Sequence, residues 1–213
     1  MNKNHQDILS HFNDFPLTDL VILAGGQARR MNGINKLLQQ FDDQIQLLKI
    51  HQQLKAKVSK VWVNSHRDFS IYQKLIPNID CYQDDESNFQ GPLMGMKSAW
   101  GYVQADYVLF VPCDVTFIPK QVLSQLHQVL AMNTLADVAY VEMNGKNLYP
   151  FCLMKRSAYT VLCTHLEQNQ RGLRHCFVDL YAQKASFKNH ALFFHSINSL
   201  DELQQYQQLN LIH

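Results

Sequence analysis

Gly25-Gly26, Arg29, Arg30 and Lys36 fall within one stretch, Leu23 to Lys36, which reads Leu-Ala-Gly-Gly-Gln-Ala-Arg-Arg-Met-Asn-Gly-Ile-Asn-Lys. Those residue types suit the holding of a polyphosphate. Glycine lets the backbone turn with φ above zero and leaves its N–H groups uncovered. Bare N–H groups donate to phosphate oxygens, and guanidinium and ammonium groups neutralise the charge. The bland alternative is a surface turn with solvated arginines, and a Gly-Gly pair alone favours that. The stretch fits neither the P-loop nor the Rossmann glycine pattern.

Asp114 stands just past the apolar run Tyr107 to Val111, through Pro112-Cys113. A carboxylate at the rim of an apolar cleft is costly unless it is paired or binds metal. The competing role is a turn former before Phe117-Ile118-Pro119. Beside a cationic phosphate loop the metal role gains, because Mg²⁺ takes one or two carboxylates and completes its shell with phosphates and water. Asp84 opens the acidic run Asp84-Asp85-Glu86, a solvated loop or a ligand contact. Asn64 ends another apolar run, followed by Ser65, His66 and Arg67. Gly95 stands inside the helix start Gly91-Pro92-Leu93-Met94-Gly95, where glycine costs about 0.5–1 kcal/mol against alanine. Close approach of a ligand or of the sheet would explain it.

The elements that must position these groups follow from periodicity. Strands are predicted at about 18–24, Val58–Asn64, Ile79–Tyr82 and Tyr107–Val111. Apolar positions 47, 48, 50 and 54 predict a helix over 45–57. Asp68 can cap a helix that Pro77 stops, Pro92 and Pro119 open two more, and further helices are expected at 156–168 and 171–182. Val138–Met143 and Leu148–Lys155 read as a hairpin across Asn144-Gly145. Ala191–Phe194 reads as a last strand, and Ser199 with Glu202 as a capping box on the final helix. Strands alternating with helices predict an α/β fold with a mostly parallel sheet, helices on both faces and one late antiparallel hairpin. In such sheets ligands bind beyond the carboxyl ends of the strands. The glycine turn, Asn64, Asp84 and Asp114 are all placed there. Residues 1–16 read as an N-terminal extension and 17–213 as a single domain.

The bulk numbers narrow the function classes. The chain has 213 residues, enough for one sizeable core. Lys plus Arg is 19 against 18 Asp plus Glu, a net charge of +1, so overall charge recruits neither nucleic acid nor anionic membrane. The five cysteines, Cys81, Cys113, Cys152, Cys163 and Cys176, form no Cys-x-x-Cys pair and read as reduced packing residues. No run approaches the roughly 20 apolar residues of a membrane span, and the start lacks a signal-peptide core. A cytoplasmic protein is expected.

Leu-Ala-Gly-Gly-x-x-x-Arg-Met with a following lysine resembles the signature loop of the nucleotidyltransferases that build nucleotide-linked cofactors and sugars. The Gly-Gly form is most similar to the molybdenum cofactor guanylyltransferases. Val-Asn-Ser-His-Arg at 63–67, Asp84, Gly-Pro-Leu-Met-Gly at 91–95 and Pro-Cys-Asp at 112–114 resemble that family's successive motifs, in family order. Tyr149-Pro150-Phe151, Arg171 and Ile197-Asn198-Ser199 fit more loosely. The resemblance implies a Rossmann-like three-layer sandwich of the nucleotide-diphospho-sugar transferase type. It implies transfer of GMP from GTP to the phosphate of molybdopterin, with release of pyrophosphate and Mg²⁺ as cofactor. Lys36, Arg30 and Asp114 would be catalytic, with Asp114 the metal ligand. Leu23, Ala24, Gly25, Gly26, Lys36, Asn64, Asp84 and Asp114 would bind nucleotide; either Asn64 or Asp84 would read the base. Arg171 and Asn198 would meet the acceptor. Cofactor-delivery proteins and molybdoenzyme chaperones are the implied partners.

The chain departs from the family at four places. Asn32-Gly33 stands where the family has Gly-Gly, Asn35 where it has aspartate, Ser196 where it has asparagine, and Leu200 where it has proline. If the family aspartate only orients the lysine, Asn35 can do the same work, and Asn35→Asp should change activity by less than roughly tenfold. The rival functions are a nucleotidyltransferase that uses CTP or a sugar phosphate, and a weakened relative that only binds nucleotide or cofactor.

Overall fold

The computed structural model describes residues 15–26, 33–86 and 91–210. Its centre is a seven-stranded sheet in the order β5-β4-β1-β6-β8-β7-β9. The strands are β1 Thr18–Leu23, β4 Val61–Asn64, β5 Asp80–Tyr82, β6 Tyr107–Pro112, β7 Val138–Met143, β8 Lys146–Lys155 and β9 Gln183–Phe187. A two-residue pair, β2 Gln40–Phe41 and β3 Gln44–Ile45, stands apart from the sheet. β1 pairs in parallel with β4 and β6, β4 with β5, and β7 with β9. β8 runs antiparallel to both β6 and β7. The result is a mostly parallel sheet with one reversed strand.

The sequence of β1 sets up the layering. All six of its residues are buried. Successive side chains of a strand point to opposite faces, so Leu20 and Ile22 enter one core cluster while Val21 and Leu23 enter another. The first cluster takes side chains from α1 (Gln46–Leu54), α2 (Phe69–Leu75) and α4 (Val122–Met132). The second takes them from α3 (Pro92–Ala99), α5 (Tyr159–Glu167) and α6 (Leu173–Asp179). The layers are therefore helix, sheet, helix. A third small cluster packs α7 (Leu200–Asn210) against the β2–β3 pair through Phe41, Ile197, Leu203 and Tyr206. No helix among the described residues is long and apolar enough to cross a membrane.

The late hairpin forms at the expected place. Asn144 and Gly145 both have positive φ, 52° and 82°, the geometry that suits the right-handed twist of a two-residue hairpin. Its position differs in one respect. β8 inserts between β6 and β7, and β9 closes the edge beyond β7. The expected last strand at Ala191–Phe194 is absent, and Phe193 is instead 71% exposed. β9 lies earlier, in Gln-Lys-Ala-Ser-Phe, where Ala185 and Phe187 are buried between polar residues. That is an edge-strand pattern with little hydrophobic signal, and pairing with β7 supplies what the pattern lacks.

Two caps also differ from expectation. Asp68 sits at the start of α2 with φ 63° and makes no side-chain cap. Its carboxylate accepts instead from Asn35 Nδ2 at 2.7 Å. Ser199 Oγ does accept from the Glu202 N–H at 3.1 Å, but Glu202 reaches back to the N–H of Asn198, one residue before Ser199. The five cysteines are unpaired.

Candidate active site

The strand ends at one edge of the sheet are brought level by the backbone ladder. Leu23 lies opposite Asn64 on one side and Pro112 on the other. The ladder runs on past the strands: the Ala24 N–H donates to the Asn64 carbonyl at 2.8 Å, and the Cys113 N–H to the Leu23 carbonyl at 3.1 Å. Asn64 lies opposite Tyr82 of β5, and the chain leaves Tyr82 towards Asp84. The segments after β1, β4, β5 and β6 therefore open onto one cleft of about 550 Å³. Leu23, Ala24, Gly25, Gly26, Lys36, Asn64, Asp84 and Asp114 all line it. Arg30 and Asn32 lie outside the described residues.

On one wall, Lys36 Nζ stands 3.3 Å from Asp114 Oδ2. Both side chains are only partly exposed, 15% and 21%, so the pair is accessible from the cleft without being fully solvated. Lys36 begins a 3₁₀ turn, Lys36–Leu38, whose cap is the side chain of Asn35: Oδ1 accepts from the Leu37 N–H at 3.0 Å. A carboxylate that lines a cleft, balanced by a cation, suits a hard cation that arrives with phosphate oxygens of its own. No group of three or more His, Cys, Asp or Glu among the described residues could hold a metal ion by itself.

On the other wall, Asn64 Nδ2 donates to Asp84 Oδ1 at 2.8 Å, and His66 Nε2 meets Asp84 Oδ2 at 3.1 Å. The Asp84 side chain is 4% exposed. Asp84 is thus a fixed, partnered carboxylate and not part of a solvated acidic loop. Each of its oxygens still has a lone pair for a further donor. The close approach suggested by Gly95 is made by the sheet: a Cβ on Gly95 would lie 2.6 Å from Asn64 Oδ1, and one on Gly25 would lie 2.8 Å from the same atom. Both glycines leave room for one amide.

The rest of the lining comes mostly from segments already singled out in the sequence, with no individual role given there to Ile34, Arg67, Cys113 or Pro150. Ile34, Asn35, Arg67, Gly91, Pro92, Cys113 and Pro150 also face the cleft. Arg67, which follows the strand-end Asn64 in sequence, adds a cation there. Burial, and then the charge of Asp114, push the Cys113 thiol up to about 12, so it offers no thiolate. The two proposed acceptor residues do not line the cleft. Arg171 is exposed, with Asn169 Oδ1 at 3.4 Å from its guanidinium. Asn198 is exposed and donates to Ser196 Oγ at 3.1 Å. Its neighbour Ile197 donates from its N–H to the Asp114 carbonyl at 3.0 Å, which ties that segment to the Lys36–Asp114 wall.

Known proteins share this arrangement of elements. The MobA-like NTP transferase domain matches residues 20–185. A molybdenum cofactor guanylyltransferase of Acinetobacter baumannii (strain ACICU) is 65% identical over 195 residues, which span 92% of this chain and 93% of that protein. A molybdenum cofactor guanylyltransferase of Pasteurella multocida (strain Pm70) is 36% identical over 186 residues, 86% of this chain and 96% of that protein. The crystal structure of molybdopterin-guanine dinucleotide biosynthesis protein A from Archaeoglobus fulgidus superposes with a TM-score of 0.68, covering 92% of this chain and 100% of that one. At 16% identity that likeness speaks for the fold alone. With the domain matched over most of its length, the chain belongs to the MobA-like NTP transferase family and is a nucleotidyltransferase.

Proposed function

We propose that this enzyme transfers GMP from GTP to the phosphate of a molybdopterin cofactor and releases pyrophosphate. The observation that carries the reading is the two-walled cleft: a Lys36–Asp114 pair beside a glycine turn on one side, and an Asn64–Asp84 pair on the other. The first wall suits a triphosphate and the second a nucleoside. The names of the relatives from Acinetobacter baumannii and Pasteurella multocida supply the base and the acceptor.

The chemistry asks little of a general base. The acceptor phosphate is already an anion, and one of its oxygens attacks the α-phosphorus of GTP. The new P–O bond forms as the bond to the β-phosphate oxygen breaks, and the electron pair leaves with pyrophosphate. Catalysis is then alignment and charge neutralisation. Lys36 neutralises the charge that moves towards the leaving group, and Arg30 is assigned the same task by the family pattern. Leu23, Ala24, Gly25 and Gly26 present backbone to the nucleotide. Asp84, fixed by Asn64 and His66, offers acceptors for the guanine N1–H and N2–H₂. Asp114 would hold Mg²⁺, which when bound would supply Lewis-acid neutralisation of phosphate charge. Residues 17–213 are taken as one catalytic domain, in which Asn198 and Arg171 remain the proposed acceptor contacts, and delivery proteins would bring the pterin.

A thermal-shift panel tests the base. GTP with Mg²⁺ should raise the melting temperature more than CTP, ATP or UTP, because a ligand bound only by the folded state stabilises it with the logarithm of concentration over Kd. Equal shifts from all four would mean that only the triphosphate is read, and would remove the guanylyl assignment.

A further inference from the structure

Asn35 makes more contacts than a loop residue needs. Its Oδ1 caps the Lys36–Leu38 turn by accepting from the Leu37 N–H. Its Nδ2 donates twice, to Asp68 Oδ2 at 2.7 Å and to Tyr72 Oη at 2.6 Å. Both N–H donors of the amide, and one lone pair of its oxygen, are thereby used. The orientation is fixed too, since the carbonyl oxygen cannot face a carboxylate.

The contacts continue. Tyr72 is fully buried, and burial pushes its phenol above the usual value, which keeps it neutral. Because Tyr72 Oη accepts from Asn35, its proton is left for Ser65 Oγ at 3.3 Å. Ser65 in turn donates to the Arg67 carbonyl at 3.1 Å. Ser65 directly follows Asn64, and Arg67 lines the cleft. One directed chain of donors and acceptors therefore joins the turn that carries Lys36 to the strand end that carries Asn64.

We propose that Asn35, gripped by Asp68 and Tyr72, is a positioning residue that sets Lys36 at a fixed place relative to the nucleoside wall. This rests on the reading that Lys36 meets the triphosphate. The grip has a definite polarity. Asp68 is an acceptor only, so position 35 must donate. An aspartate at 35, the residue the resemblance implies for the family, would set a second carboxylate against Asp68, and the two could keep the present 2.7 Å separation only by taking up a shared proton; otherwise they repel and the turn shifts. Asn35→Asp should accordingly cost more than size and shape suggest, reaching the upper limit of the effect expected from sequence. Changing Asp68 to asparagine at the same time restores a donor–acceptor pair with its polarity inverted.

The test compares GTP·Mg²⁺ and GMP binding by calorimetry in the parent, Asn35→Asp and Asn35→Asp/Asp68→Asn. Asn35→Asp should weaken GTP about tenfold, about 1.4 kcal/mol, and leave GMP within about threefold, because Lys36 acts on the polyphosphate. The double variant should regain GTP affinity to within about threefold of the parent. Three results would overturn the proposal: a GTP loss under about threefold in the single variant, equal losses for GTP and GMP, or a double variant no tighter than the single. If Asn35→Asp does not fold, Asn35→Ala replaces it, removing both donations without adding charge; unchanged GTP binding there also overturns the proposal. If the parent itself does not bind GTP, the guanylyl reading fails separately. Urea unfolding of the same variants together with Asp68→Asn then decides the fork, since additive losses at 35 and 68 would mean the two residues do not interact.

Discussion

Asn64 explains two glycines that otherwise look unrelated. Gly25 follows β1 and Gly95 lies within α3, yet a Cβ on either would press on the same Asn64 Oδ1. For Gly95 this sets two terms against each other. Replacing a helical glycine by alanine stabilises by about 1 kcal/mol on propensity alone. Here the added carbon would sit 2.6 Å from a side chain that is itself pinned to Asp84. Gly95→Ala should therefore destabilise the protein in urea unfolding and weaken nucleotide binding, by displacing the amide. A more stable variant with unchanged affinity would show that Asn64 yields easily. Asp114 differs in kind. It lines the cleft and contributes an ion pair to Lys36. Asp114→Ala should leave the protein folded by circular dichroism and abolish metal-dependent pyrophosphate release, whereas an unfolded product would mark it as a structural turn former. The strand-end positions of Asn64, Asp84 and Asp114 were legible from the sequence, because apolar runs end there. The partnership of Asn35 with Asp68 was not, because nothing local links two polar residues 33 positions apart.

At the scale of elements, the turn chemistry carried most of the information. Asn144-Gly145 announced a hairpin, and the structure holds both residues at positive φ. Adding a Cβ at Gly145 meets no neighbouring atom, so Gly145→Ala isolates backbone strain from packing. It should cost about 1–2 kcal/mol in urea unfolding. A neutral result would mean that the turn changes type without loss. β1 and β6 were legible for a different reason: both are buried on two faces and so read as unbroken apolar runs. β9 was hidden because only two of its residues are buried. The β2–β3 pair was hidden because its turn uses Asp42 and Asp43 at φ 51° and 60°, where the usual signal is a glycine. That turn is held from afar. Asp42 pairs with the nearly buried Lys49 at 2.6 Å and accepts from the Tyr206 hydroxyl of α7.

For the whole molecule, acid sensitivity has a specific source. His127 is buried on α4, with Thr18 Oγ1 at 2.9 Å and the rings of Phe15 and Tyr107 beside it. Burial pushes its imidazole down from 6.5 to about 4. The folded state resists a proton that the unfolded chain accepts, so stability is full above pH 6.5 and is lost as pH falls towards 4. The span corresponds to about 3 kcal/mol at most. His127→Gln should flatten the stability profile between those limits, and an unchanged slope would place the sensitivity elsewhere. The order of the strands bears on synthesis as well. β6 lies in mid-sheet, flanked by β1, made long before it, and by β8, made long after. While a ribosome is still adding residues 113–145, the far side of β6 has no partner, and it displays the backbone of one of the most apolar strands in the protein. An open edge of that kind recruits other chains. Nascent or truncated forms ending before β8 should depend on chaperones that the finished enzyme no longer needs.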